Sequence, residues 1–116
     1  MSITRYEAGK RMSQAVVHGN TVYLAGQVAA DYSGTIEKQT TEVLAAVDKL
    51  LAQAGTGKSK LLTIQVILNN IGDFAAMNTV YDAWIDPANP PTRACIEARL
   101  AHPSLKVEVI AVAALD

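Results

Sequence analysis

Aromatic residues make up only 5% of the chain, with one Trp and one Phe. A packed core must therefore be built from Val, Ile, Leu and Ala, and the 50% hydrophobic share is large enough for one,. That share also argues against disorder over most of the length. A single cysteine, Cys95, excludes an intrachain disulfide and fits a reducing compartment,. Neither sign of charge prevails: ten Lys and Arg stand against eleven Asp and Glu, a net charge of -1. No basic run exceeds the pair Lys10 and Arg11, so no nucleic-acid partner is expected,. The longest apolar run, Val109 to Leu115, is too short to span a bilayer, and the N-terminus lacks the apolar stretch of a secretory signal,. No membrane partner is expected, and the expected location is cytoplasmic. With 116 residues and no linker or repeat, residues 1–116 form one domain,.

What is present divides into short elements. Gln14 to Val17 and Thr21 to Ala29 read as strands about the turn His18-Gly19-Asn20, where Gly19 and Asn20 accept positive φ,. From Ile36 to Ala54, Val43, Leu44, Val47, Leu50, Leu51 and Ala54 make a stripe of spacing three and four that ends at Gly55, which predicts an amphipathic helix,. Leu61 to Leu68 is a β-branched apolar run of strand length. Phe74, Met77, Val80, Tyr81, Trp84 and Ile85 recur at helical spacing behind a candidate N-cap, Asp73, and Pro87, Pro90 and Pro91 end that helix,. Thr92 to Leu100 and Lys106 to Ala114 complete the order ββαβαββ, with Ile3 to Glu7 as a possible edge strand. The expected fold is α+β, a mixed six-stranded sheet with two helices on one face.

Two helices cover one face of such a sheet. Val107 to Ala114 nevertheless carries apolar residues on both parities, as strands buried on both sides do,. The exposed face of a monomer would exceed the apolar patch that soluble monomers tolerate. An oligomer in which sheet faces meet is expected.

Two residues stand out chemically. Strand parity puts Arg93, Cys95, Glu97 and Arg99 on a polar side and Thr92, Ala94, Ile96, Ala98 and Leu100 on a packing side,. Glu97 and Arg99 read as solvated charges, whereas Arg93 follows the stiff Pro90-Pro91 connection and can be held still at a rim. Glu108 is a lone carboxylate in an apolar strand, expensive to bury without a partner. It is either one half of an ion pair, for example with Lys106, or a group that holds and activates water in a cleft. The two cannot be neighbours through a simple hairpin of the last two strands, which would set Glu108 opposite about residue 98, roughly 17 Å from Arg93 at strand rise. Either those strands pair otherwise or the site is shared between chains, the preferred reading. The segment Ala54 to Ser59 is not a phosphate-binding loop, because Ala52 occupies the first glycine position and a helix precedes it,. His18 and His102 lie in turns without ligand spacing, so no metal is expected. Cys95 shares a face with Arg93, which could lower its pKa, but no His partner supports a nucleophile.

The segments LAGQVA (24–29), VDKLLAQAG (47–55), AAMNTVYDAW (75–84), PPTRACIEARLA (90–101) and KVEVIAVAA (106–114) together resemble the Rid (reactive intermediate deaminase) family, also called endoribonuclease L-PSP-like. The resemblance spans nearly the whole chain. It implies the chorismate mutase-like Rid fold, a homotrimer with clefts between subunits, and hydrolysis of 2-imino or enamine acids (2-iminopropanoate or 2-iminobutanoate type) to a 2-keto acid and ammonia without a cofactor. It assigns the carboxylate-binding arginine to Arg93 and the water-directing glutamate to Glu108. Cys95, Asn78, Gly26 and Gln27 then line the substrate. Two pocket hydroxyls usual in deaminating members are absent, their positions being Met12 and Ala25. That departure leaves an alternative open: a non-catalytic module binding small 2-keto acids or related carboxylates.

Overall fold

Alternating burial and helical periodicity resolve into seven strands and two helices in the computed structural model, which describes residues 2–116. The strands are β1 (Ile3–Tyr6), β2 (Ala15–His18), β3 (Thr21–Leu24), β4 (Gln27–Val28), β5 (Leu61–Leu68), β6 (Thr92–Glu97) and β7 (Val107–Ala114). The helices are α1 (Ile36–Ala54) and α2 (Phe74–Trp84). Thr35 caps α1, its side chain accepting from Lys38 N, and Gly55 closes it at φ 92°, a conformation that a side chain would strain,. Asp73 does not cap α2 through its side chain; instead Asn70 accepts from Gly72 N and starts the short 3-10 turn that leads into the helix.

The sheet order is β1-β2-β3-β7-β5-β6, and β4 pairs with β7 beyond the end of β3. Seven strands thus occupy six positions, because the expected strand from Thr21 to Ala29 breaks at Ala25-Gly26. Only β5 and β6 run parallel, so the sheet is mixed. The last two strands are not a hairpin: β5 lies between them, and β6 ends at Glu97 rather than Leu100.

On one face Val22, Leu24, Ile64, Val66, Leu68, Val107, Val109, Ala111 and Ala113 meet Val43, Leu44, Val47 and Leu51 of α1 and Met77 of α2. The other face has no layer of its own. It carries Tyr23, Val28 and Ile96, all exposed, with Ile96 at 53%. The parity of β6 is therefore opposite in consequence to the expectation: Thr92, Ala94 and Ile96 point to the uncovered face, and Arg93 and Cys95 to the helices. The less polar face of this strand is thus not the one the helices cover.

One buried polar residue ties the loops to this frame. Gln39 of α1 donates to the carbonyls of Gly34 and Ser104, both at 3.1 Å, and accepts from Lys106 N at 2.9 Å. The amide joins the loop before α1 to the loop before β7 with its hydrogen-bonding capacity used.

Candidate functional site

Arg93 sits on the edge strand β6 with its side chain over α2. Residues Phe74, Asn78 and Tyr81 recur at spacings of four and three and so share one helix face,. All three reach the same guanidinium. Nη1 of Arg93 donates to Asn78 Oδ1 at 2.7 Å, and its central carbon lies 4.7 Å from the Tyr81 ring centre and 5.8 Å from that of Phe74. Both distances suit cation–π attraction. Among the described residues no carboxylate pairs with Arg93; the one ion pair joins Lys38 to Asp31 at 3.7 Å. A guanidinium carries five N–H donors, so one bond to Asn78 leaves the fork able to take an anion.

Cys95 follows two residues on along the same face, partly buried against the core. Burial pushes its thiol above the ordinary value, and the nearby Arg93 charge opposes this less strongly,. The lowering that the shared face with Arg93 could give is thus outweighed, and the thiol stays the poor nucleophile that the lack of a His partner suggests. The folded state favours the protonated form, so this contribution to stability is complete below the ordinary thiol range and lost as pH rises through the raised value. Iodoacetamide at neutral pH is expected to alkylate Cys95 more slowly in the native protein than in urea. Equal rates would contradict a shielded thiol. Burial likewise raises the Tyr81 hydroxyl, opposed by Arg93 and aided by Asp82.

Glu108 lies on β7, paired across to Ile67 and Val28, on the face that the helices leave bare. An ion pair with Lys106, one of the two readings of this carboxylate, is not present among the described residues. Instead the carboxyl end packs on Gly26, in the break between β3 and β4, where an added Cβ would come within 2.8 Å of Glu108 Cδ. Glycine here leaves room for the Glu108 carboxyl in its present position, and its backbone angle is one that any residue adopts. Next to it, Gln27 turns to the helix side and donates to Gln14 Oε1 at 3.0 Å.

Arg93 and Glu108 do not meet within one chain. Arg93 is aligned with Ile64, and Glu108 with Ile67, on opposite sides of β5. Two strand spacings across and three residues along separate their backbones by roughly 14 Å, with side chains on opposite faces. Arg93, Asn78 and Cys95 thus form one cluster, and Glu108 and Gly26 another. Phe74 and Tyr81 belong to the first, yet their helical spacing reads in sequence as an ordinary core stripe. Among the described residues no group of three or more His, Cys, Asp or Glu is placed to hold a metal, and no helix is long and apolar enough to cross a membrane.

Comparison with known proteins gives consistent relatives. The Endoribonuclease L-PSP family profile matches residues 2–115. A RutC family protein of Haemophilus ducreyi is 43% identical over 114 residues, spanning 98% of this chain and 97% of the relative. RutC family protein YoaB of Escherichia coli is 38% identical over 115 residues, spanning 99% and 100%. The crystal structure of a YjgF family member from Neisseria meningitidis superposes with a TM-score of 0.97 at 38% identity, covering 100% of this chain and 97% of that one.

Proposed function

From the premise that the chain belongs to the Endoribonuclease L-PSP family, we propose that it is a homotrimeric deaminase of small 2-imino acids, with each site shared between two subunits. The observation that carries this reading is the guanidinium of Arg93, oriented by Asn78 and two aromatic rings and without an acidic partner among the described residues. A planar fork held this way matches a carboxylate through two parallel hydrogen bonds. Glu108 and Gly26 would come from the neighbouring chain, whose uncovered sheet face supplies the second wall.

The reaction is a hydrolysis. Glu108 takes a proton from water as the water oxygen bonds to the carbon of the protonated imine, giving a carbinolamine; Glu108 then passes that proton to the amine nitrogen, and the C–N bond breaks as the hydroxyl becomes the keto oxygen and gives its proton to solvent, so that ammonia and the 2-keto acid leave. Holding water and imine together lowers the entropic part of the barrier, and general-base assistance the rest. The test is ammonia release when the purified protein is added to an amino-acid oxidase that generates 2-imino acids, against a control without protein. No acceleration over the control would remove the deaminase reading.

A binding module for 2-keto acids is the second reading, favoured by Met12 and Ala25, which stand where the resemblance to deaminating members implies two hydroxyls as the usual residues. It shares the Arg93 anchor. Both readings need the assembly: Tyr23, Val28 and Ile96 leave an apolar sheet face for partner chains to cover,. Sedimentation equilibrium is expected to give three times the chain mass, and a concentration-independent monomer would contradict it.

A further inference from the structure

The proposed function makes Arg93 the carboxylate anchor but does not explain how a long, four-torsion side chain on an edge strand keeps one orientation. Asn78 fixes a single nitrogen. A guanidinium tethered at one corner can still swing about that bond, and each orientation points the free donors elsewhere. The second restraint is Tyr81. Its ring is 7% exposed and lies 5.9 Å from the Trp84 ring, and Trp84 Nε1 donates to Asp48 Oδ2 of α1 at 2.8 Å. The ring is thus restrained by burial and by a neighbour that is itself tied to α1, independently of Arg93, whose guanidinium carbon lies 4.7 Å from its centre.

We propose that Tyr81 is a positioning residue for the anion site: its ring face and Asn78 Oδ1 together hold the Arg93 guanidinium in the orientation that accepts a carboxylate bidentately. The inference rests on the function proposed above and adds a part to it. The ring acts through its π face, so the phenolic oxygen is dispensable.

Calorimetric titration with 2-oxobutanoate tests this on the assembled protein. Tyr81→Phe is expected to bind within about twofold of wild type, and Tyr81→Leu about tenfold more weakly, a factor equal to about 1.4 kcal/mol and within the reach of a partly desolvated cation–π contact. In an Arg93→Ala background the same Tyr81→Leu change is expected to leave the residual affinity unaltered, since nothing remains to be positioned. An isosteric control removes any dependence on the leucine variant folding: 3,4,5-trifluorophenylalanine at position 81, which depletes the ring face of electrons, is expected to bind more weakly than Tyr81→Phe. Equal binding by those two proteins would overturn the proposal. So would a loss in Tyr81→Phe as large as in Tyr81→Leu, or a Tyr81→Leu loss that persists without Arg93. Wild-type affinity in Arg93→Ala itself is a different outcome: it removes the anchor and the proposed function, and the role of Tyr81 with them.

Discussion

Arg93→Ala is expected to weaken binding of a small 2-keto acid by on the order of a hundredfold, close to 2.8 kcal/mol at about 1.4 kcal/mol per factor of ten. Hydrogen bonds to charged groups contribute about 1.5 to 3 kcal/mol each, so losing a bidentate pair from a partly buried site accounts for this without any change of fold. Because Arg93 stands at the sheet edge and has no ion-pair partner among the described residues, its removal orphans no buried carboxylate and thermal stability should move little. Arg93→Lys is expected to recover only part of the affinity, since an ammonium keeps the charge and loses the planar fork. Calorimetry on the folded variants decides both points. Wild-type affinity in Arg93→Ala would leave the site without its central residue, and wild-type affinity in Arg93→Lys would reduce the fork to a point charge.

The second large effect belongs to Glu108. Glu108→Gln keeps the size and removes the base, and imine hydrolysis is expected to fall by roughly a hundredfold or more, as general acid–base groups commonly contribute, with keto-acid affinity largely kept. Gly26 gives an independent handle on the same group. A methyl there meets the flexible end of the Glu108 side chain, so Gly26→Ala should displace the carboxyl and lower turnover while the protein still folds. Unchanged turnover in both variants would make the carboxylate structural.

Local signals in the sequence carried much of this. The stripe from Val43 to Ala54 and the glycine after it gave α1 its extent, and a glycine at φ 92° is what ends a helix,. The helical spacing from Phe74 onward gave α2, though not its capping, because Asn70 acts from outside the helix. What eluded the sequence was relational. Nothing in β6 or β7 announces that β5 inserts between them, since that pairing brings together segments far apart in the chain. The parity of β6 showed two unlike faces, but not which of them meets the helices: the polar side, on which Arg93 was read as held at a rim, is the one that lies over α2. Phe74 and Tyr81 looked like core residues because a guanidinium cradle and a hydrophobic stripe demand the same spacing on a helix. Gln39 gave no signal, as a buried amide is recognised only by the loops it joins.

The shared site can be tested most directly by mixing two inactive variants. Arg93→Ala and Glu108→Gln chains, unfolded together in equal amounts and refolded, distribute at random among the positions of a cyclic assembly. A site that draws arginine from one chain and glutamate from the next finds both groups intact at about a quarter of the interfaces, so about a quarter of the wild-type ammonia release is expected to return. Each variant refolded alone should stay inactive. If the mixture releases no more ammonia than the separate variants, Arg93 and Glu108 do not act across an interface, which contradicts the shared site.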